Sequence, residues 1–253
     1  SGSVSIIDNL LDLFNDVTSI TGVYDNGGHS GLIRTELGLL PPGDATHQLA
    51  IHIRNLKNRE LLTRRWTGDN GFSGKRPGND LLALAEHIEG SHSAGIKRLE
   101  AFFADYVGRV MPISDDNVDL KINFDDGSYR IGEKEIDELT QGDPKISSVE
   151  FYPKLPKAND DALTQISNAD LLLLPPGTFY GSILPILITP GVQEAILSSN
   201  AYIPWFCNAL NPQETRDYTA TNFAIKLVDV LGRGIDTGYI DNKKYKLPKS
   251  YQD

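Results

Sequence analysis

The chain has 253 residues, of which 40% are hydrophobic, so it is long enough for one large domain or for a core domain with an added subdomain. Its formal net charge is −10, which argues against a nucleic-acid binder, because such proteins usually carry a basic excess that neutralises phosphates. No apolar run approaches the roughly 20 residues that span a bilayer, which argues against a membrane protein.

The predicted elements alternate between helices and strands. Residues 4–17 have apolar side chains at helical spacing, and residues 18–24 form a short β-branched strand. This N-terminal region has acidic residues and no basic stretch, so we expect no signal peptide and a cytoplasmic protein. Asp44 is expected to cap a helix over 45–56. Further helices are predicted at 81–90, 96–107, 161–169 and 219–234, and further strands at 145–153, 170–174 and 201–206.

Residues 118–133 alternate apolar and polar side chains about the turn Asp125-Asp126-Gly127, which is typical of a β-hairpin. The rest of the chain predicts an α/β fold of the doubly wound kind with a mainly parallel sheet, to which the hairpin adds antiparallel strands at an edge. The leucines of 170–174 are expected to be buried on both faces of that sheet. We expect a single domain over 1–253, with a hairpin insertion at about 112–135 and an irregular tail at about 233–253.

Four Gly- or Pro-rich segments fall where helices would begin. In parallel sheets, ligands bind beyond the carboxyl ends of the strands, and free N–H groups at helix N-termini favour anions. The ligand expected at such loops is a phosphate or diphosphate. Each loop taken alone, however, more often serves only to reverse the chain. No segment fits the P-loop or strand-linked GxGxxG patterns, which excludes those two classes. The four segments are 1–3, 25–31, 74–79 and 175–182.

Single residues outside these patterns have more ordinary interpretations. His29 lies in a glycine loop and is as well suited to a ligand contact as to structure, whereas the histidines in predicted helices favour packing or solvent. Asp115 and Asp116 suit a turn better than a metal. Cys207 lies in an apolar stretch and is expected to be a small buried side chain. The helical histidines are His47, His52, His87 and His92.

The loops resemble the CofD/YvcK-like family, also called UPF0052, over about residues 1–232. Five ordered blocks carry the resemblance. They are DNGGHSGLIR with PPGD (25–34, 41–44), GNDLLA (78–83), GRVMPISDDNVDL (108–120), PPGTFYGSILPILITPGVQEAI (175–196) and CNALNPQETRDYT (207–219).

The resemblance implies a Rossmann-like fold and two functional branches. One branch is 2-phospho-L-lactate transferase, which uses a guanosine diphosphate-type donor, a deazaflavin acceptor and Mg²⁺. The other is YvcK, a regulator of carbon and cell-wall metabolism that binds UDP-sugars. The spacing of the GN-LL-A block (78–83), and the lack of a Gly-Asp-Arg-Asp run, favour the YvcK branch. A nucleotide diphosphate or nucleotide sugar, UDP-GlcNAc included, is therefore the expected partner, and homodimerisation is left open.

The matched blocks also imply the binding residues. The loop at 175–182 is expected to present backbone amides and hydroxyls to a diphosphate. No catalytic residue is implied, and Asp25 is the candidate metal ligand. Where the family has a second Asp and a basic residue, this chain has Asn26 and Thr46, and only Ser1-Gly2-Ser3 stands in place of the family's first glycine loop. These departures leave open a fold that has lost its ligand, and the missing loop leaves open a strand and glycine loop that precede Ser1. The implied binding residues are Asp25, Asn26, Gly27, Gly28, Ser30, Arg34, Asn79, Gly177, Thr178, Tyr180, Ser182 and Asn208.

Overall fold

The structure is a computed structural model that describes residues 3–208, 210–240 and 243–245. It divides into two compact units, one comprising Val4–Asn117 and the other beginning at Val118. Both units contain helices and strands, which confirms the predicted α/β class. The chain passes from one unit to the next just before the predicted hairpin, and the single domain expected over 1–253 stays a prediction. Two of the three residues of the predicted first loop, Ser1 and Gly2, lie outside the described residues.

The first unit is built around two parallel strands. β1 (Thr18–Thr21) pairs with β2 (Arg109–Pro112), and parallel neighbours require a crossover connection. Here the crossover is a series of helices, and one more helix precedes β1. The helices are α1 (Ser3–Leu13), α2 (Gly28–Leu37), α3 (Gly43–His52), α4 (Leu56–Thr63), α5 (Pro77–Glu89) and α6 (His92–Phe102).

The apolar faces of α3 to α6 share one core. Leu49, Leu62, Leu82 and Ile96 are all 0% exposed within it. Gly78, in the first turn of α5, allows the helix to approach α4 closely, because a β-carbon there would lie 2.3 Å from the carbonyl oxygen of Leu62. Gly78 therefore lets the first turn of α5, which overlaps the candidate loop 74–79, pack directly against α4.

The starts of α3, α5 and α6 differ from the sequence prediction, and α5 begins at Pro77, four residues before the predicted start. α3 begins at Gly43 with Pro42 as its N-cap and without a side-chain cap, so the prediction that Asp44 caps this helix was wrong. Asp44 instead lies in the first turn, where a carboxylate is favourable to the helix dipole. The hydroxyl of Ser91 accepts a hydrogen bond from Ala94 N and caps α6, which therefore begins before residue 96 and ends at Phe102.

His52 is a buried structural residue of the first unit. It is 0% exposed, and burial lowers the pKa of its ring, which favours the neutral form. Its Nδ1 donates to the Val107 carbonyl at 2.6 Å, so Nε2 accepts from the Ser19 hydroxyl at 2.9 Å. The histidine thus joins α3 to β1 and to the residues before β2, which confirms the predicted packing role.

The second unit opens with an antiparallel sheet. β3 (Asp119–Phe124) pairs with β4 (Tyr129–Ile131) and with β5 (Ile146–Tyr152). Gly127 turns the hairpin with a φ of +85°, a conformation that glycine adopts without strain. The predicted hairpin is confirmed, and Asp125 and Asp126 both lie in its turn.

A second sheet of this unit contains the C-terminal strands. Leu171 and Leu174 form parallel bridges to Tyr202 and Trp205, and β6 (Pro204–Phe206) pairs in parallel with β7 (Thr237–Ile240). β7 continues antiparallel to β8 (Lys243–Tyr245), so the tail is not irregular throughout, as the sequence had predicted. Residues 171–174 are only half-buried, which corrects the prediction that both of their faces are covered.

Short helices connect the strands of the second unit. A π-helical turn, Phe179–Ile183, runs directly into α9, and a 3₁₀ turn, Gln213–Thr215, precedes α11. Thr219 and Asn222 form a capping box at the start of α11. The helices are α7 (Lys134–Asp137), α8 (Asp160–Ser167), α9 (Leu184–Leu187), α10 (Val192–Ser198) and α11 (Ala220–Leu231).

Among the described residues, no single helix combines the length and hydropathy needed to cross a membrane. The bent pair Phe179–Leu187 and Val192–Ser198 meets those criteria of length and composition only when its two helices are taken together.

Candidate functional site

The glycine loop before α2 is shaped by close backbone contacts. Asp25 Oδ1 accepts a hydrogen bond from Gly27 N at 2.7 Å, and Gly28 begins α2 with a φ of +50°. A β-carbon at Gly31 would lie only 2.1 Å from the carbonyl oxygen of Asn26. The loop therefore needs its glycines because the chain folds back on itself with no room for side chains.

The start of α3 lies against the same loop. A β-carbon at Gly43 would lie 2.4 Å from Ser30 Oγ and 3.2 Å from Asp25 Oδ2, so the PPGD segment touches the glycine loop directly. Ser30 is 4% exposed. Two sequence blocks that are separated along the chain are thus brought together at the N-termini of α2 and α3.

Asp44 adds a second carboxylate near Asp25. Desolvation by surrounding protein atoms raises the pKa of Asp44 to about 6, the Asp25 carboxylate raises it further, and the Arg76 guanidinium opposes the rise. Water reaches the Asp44 side chain, so part of the effect is screened. Two carboxylates that repel each other beside a guanidinium form a locally charged cluster in the first unit.

His29 joins the two glycine-rich loops of this unit. Its Nδ1 accepts a hydrogen bond from Arg76 N at 3.0 Å, so a neutral ring carries its proton on Nε2. That Nε2 lies 3.1 Å from Asp80 Oδ1, and the His29 side chain is 5% exposed. Both ring nitrogens of His29 therefore contact the second loop region, and the residue connects the two loops. The sequence had left open whether it contacts a ligand or has a structural role.

The N-terminus of α5 contains polar atoms that lack partners. Asn79 is 3% exposed; its Nδ2 reaches Ser30 Oγ at 3.5 Å, but its Oδ1 is buried with no hydrogen-bond partner. Arg76 Nε is likewise buried and unpaired. Burial lowers the pKa of Arg76, and the nearby Arg65 guanidinium lowers it further. Such groups usually find partners, so their presence here indicates a polar site.

Arg34 is held by groups within the first unit. Its Nε donates to Asn117 Oδ1 at 2.8 Å, and its Nη1 lies 3.4 Å from the Tyr24 carbonyl oxygen. The guanidinium thus joins α2 to the segment after β2 in this structure. The sequence had assigned it to a phosphate, and that assignment stays a prediction.

The second candidate loop, residues 175–182, belongs to the other unit. Thr178 and Ser182 place their hydroxyl oxygens 2.7 Å apart. The carbonyl of Gly177 accepts a hydrogen bond from Asn208 Nδ2 at 2.7 Å. Three of the predicted loop residues and Asn208 are therefore grouped, although Asn208 acts on the loop backbone in this structure.

Glu214 is the residue of this loop region that the sequence analysis did not single out. Its carboxylate accepts hydrogen bonds from Phe179 N at 2.6 Å and Tyr180 N at 3.0 Å. Burial raises the pKa of Glu214 to about 7, although these backbone bonds oppose the rise. Both amides are engaged within the protein in this structure, and the expectation that the loop presents backbone amides to a diphosphate stays a prediction. The sequence signal that could have identified Glu214 was an acidic residue within the matched block 207–219, just before a predicted apolar helix.

Tyr180 is also turned inward. Its side chain is 1% exposed, and its hydroxyl bonds to that of Tyr218. Phe179, Tyr180, Tyr218 and Phe223 pack as edge-to-face aromatic pairs. The tyrosine thus contributes to the core beneath the loop in this structure, and its predicted contact with ligand stays a prediction.

Asp115 and Asp116 have structural roles, and no functional role of Cys207 is tested. Asp115 accepts hydrogen bonds from the backbone and hydroxyl of Ser93, at 2.8 and 2.6 Å, in the first turn of α6. Ser114 Oγ accepts from Asp116 N, in keeping with the preferred turn. Cys207 is half-buried. Within the described residues, no three His, Cys, Asp or Glu side chains are grouped as metal ligands.

The whole chain, residues 1–253, matches the family model of 2-phospho-L-lactate transferase CofD. It is 35% identical to the gluconeogenesis factor of Halalkalibacterium halodurans over 221 residues, which cover 87% of this chain and 67% of that protein. It is 31% identical to the gluconeogenesis factor of Bacillus subtilis over 229 residues, which cover 89% of this chain and 69% of the relative.

Solved structures agree with these relatives. An X-ray crystal structure of a Bacillus halodurans protein superposes with a TM-score of 0.87 at 32% identity, covering 97% of this chain and 79% of that one. A crystal structure of a UPF0052 family member from the same organism gives a TM-score of 0.84 at 33% identity, covering 93% and 75%. The chain therefore belongs to the CofD family, UPF0052, as its five sequence blocks had predicted.

Proposed function

We propose that this protein is a YvcK-like regulatory protein of carbon or cell-wall metabolism that binds a nucleoside diphosphate or a UDP-sugar in the cytoplasm. The relatives at 35% and 31% identity are named gluconeogenesis factors, which supports a regulatory role over a catalytic one. In the first unit the candidate binding residues are 25–34 with Asn79, and in the second unit, considered by itself, they are 177–182.

The main support for this proposal is the environment of the Arg76 side chain. Its Nε is buried without a partner, and the Arg65 guanidinium is close enough to lower its pKa. Two like charges are held near each other at the N-terminus of α5, a helix whose dipole also favours an anion. A phosphate group would give Arg76 a bidentate partner and relieve the repulsion.

Neighbouring polar groups suit the rest of such a ligand. Asn79 Oδ1 is a buried acceptor with no partner, and a ribose or sugar hydroxyl would supply the missing donor. Thr46 Oγ1 is buried and unpaired as well, with the residue 0% exposed. Several unsatisfied buried groups in one unit cost free energy unless a ligand pairs them, which favours a binding site over a simple chain reversal.

Calorimetric titration with UDP-N-acetylglucosamine and with GDP tests the proposal. We expect heat of binding with at least one of them, and about a tenfold or greater loss of affinity in Arg76→Met, because a charged hydrogen-bonded contact disappears. Arg98→Met is the matched control, since the Arg98 side chain is 69% exposed. The absence of heat with both ligands, on folded protein, would overturn the proposal.

A transferase is the second candidate, and the pair Asp25 and Asp44 favours it. The family implies Mg²⁺, which keeps several waters and binds proteins through one or two carboxylates together with substrate phosphates. These two acids, whose carboxylates interact, would hold the ion, and it would supply charge stabilisation for a transferring phosphoryl group. Asn26 removes one carboxylate from the family's DDGG pattern, which weakens this candidate.

A turnover assay separates the two candidates. A phospholactyl-guanosine donor and a deazaflavin alcohol acceptor, with Mg²⁺, would give product only if the chain is a transferase. We expect no product above the rate without protein. Product formation that disappears in Asp25→Asn would replace the regulatory proposal with the catalytic one.

A further inference from the structure

One short segment of the second unit makes three separate contacts with the loop at 177–182. Asn208 donates to the Gly177 carbonyl at 2.7 Å. Glu214 accepts from the amides of Phe179 and Tyr180, and the Tyr218 hydroxyl bonds to that of Tyr180. The contacts are spaced along the loop, so they constrain its backbone at several points.

The contact made by Glu214 is buried. Glu214 is 7% exposed, and the residues whose amides it binds, Phe179 and Tyr180, are 2% and 1% exposed. These two amides begin the π-helical turn 179–183, where N–H groups at a helix start lack partners within the helix. The two carboxyl oxygens of Glu214 accept from both of these amides at once.

Other charged groups around this contact do not take over its role. Asp137 is close enough to raise the pKa of Glu214 further. Glu133 lies against the loop from another side, since a β-carbon at Gly181 would be 2.8 Å from its Oε1. Arg216 is engaged with the carbonyls of Thr140 and Asp143, and Lys226 lies 5.8 Å from the centre of the Tyr180 ring.

We propose that Glu214 is a positioning residue, which sets the backbone of the loop so that the Thr178 and Ser182 hydroxyls are held together for ligand. This inference rests on the proposed function. In this proposal Glu214 does not itself meet the ligand, because it is buried and its carboxyl oxygens are bonded to the amides of two buried residues. In the alternative, Glu214 occupies the position of an anionic ligand and competes with it. Removing the Glu214 carboxylate would then raise the affinity for ligand, whereas loss of positioning would lower it.

Amide hydrogen exchange tests the positioning without any ligand. In Glu214→Gln, one carboxylate oxygen is replaced by an NH₂ group that cannot accept from an N–H, so we expect the amides of Phe179 and Tyr180 to exchange about tenfold faster or more. Glu194→Gln makes the same chemical change at an exposed position of α10 and should leave this region unchanged. Unaltered exchange in Glu214→Gln would overturn the proposal.

Calorimetry with UDP-N-acetylglucosamine then distinguishes positioning from general stability. Measured well below the unfolding temperature, Glu214→Gln should bind about tenfold more weakly, whereas a purely structural residue would lower the unfolding temperature and leave the affinity of the folded protein unchanged. Tighter binding would support the competitor and overturn positioning.

Tyr218→Phe provides a second variant that keeps the aromatic ring and removes only the hydroxyl contact. It should weaken binding by a smaller factor, and it keeps the test decisive if Glu214→Gln fails to fold. Wild-type protein that binds neither nucleotide would contradict the proposed function, while the exchange experiment would still decide whether Glu214 holds the loop.

Discussion

His29 Nδ1 accepts a hydrogen bond from the backbone N–H of Arg76 at 3.0 Å. The two residues lie in different glycine-rich loops, and this bond sets where the Arg76 main chain lies. Since Nε2 faces Asp80 at 3.1 Å, the imidazole is oriented at both ends. The loop geometry of the first unit thus depends on one buried ring.

Replacing His29 with alanine should loosen both loops. The change removes the acceptor for the half-buried N–H of Arg76, which costs about 1–3 kcal/mol of unfolding free energy. Urea denaturation measures this cost. His87→Ala is the control, because His87 lies on the exposed side of α5 and its loss should be nearly neutral. Equal effects of the two variants would contradict the bracing role.

Gly31→Ala should destabilise the first unit even though alanine favours helices by about 1 kcal/mol over glycine. A β-carbon there would lie 2.1 Å from the Asn26 carbonyl oxygen, so the backbone must move, and such overpacking typically costs about 1–3 kcal/mol. Gly71→Ala is the matched control, since nothing lies within 4 Å of its β-carbon position. Thermal unfolding should show a lower midpoint only for Gly31→Ala.

Two adjacent leucines of α4 should respond very differently to truncation. Leu62 is 0% exposed and packs in the core, whereas Leu61 is 61% exposed. Leu62→Ala should cost about 2–5 kcal/mol, and Leu61→Ala should remain within about 0.5 kcal/mol of wild type. Chemical denaturation of the two variants checks both values. A small cost at Leu62 would mean that α4 does not pack as described.

Glu214 should make stability depend on pH in a defined window. Burial raises its pKa from an ordinary 4.5 to about 7, so the folded state binds the proton more tightly than the unfolded state does. Its contribution is therefore complete below about pH 4.5 and is lost as the pH rises towards 7. At about 1.4 kcal/mol per unit of pKa shift, the loss amounts to at most about 3.5 kcal/mol.

The difference between wild type and Glu214→Gln isolates this effect from other titrating groups. Unfolding free energies measured from pH 4 to 8 should show a steeper fall with pH for wild type than for the variant. Glu194→Gln, at its exposed position, should follow wild type. Parallel curves for wild type and Glu214→Gln would show that the Glu214 carboxyl does not titrate in this window.

Much of the local structure was readable from the sequence, because its signals are local. Apolar periodicity predicted the helices now seen as α5 and α11, and the Asp125-Asp126-Gly127 turn predicted the hairpin of β3 and β4. The glycine loops were identified as well, and the structure shows steric reasons for Gly31 and Gly43. Periodicity and turn chemistry act over a few residues, so a sequence window contains them.

Tertiary structure decided the partners of the polar side chains. Glu214 lies 35 residues from Phe179, and His29 lies 47 residues from Arg76; no local pattern specifies such pairs. It also decided that residues 171–174 are half-buried, since burial depends on what packs against a strand. Sequence by itself therefore determined the family, the α/β class and the loops, whereas only the fold determined which polar groups of those loops bond to distant parts of the chain.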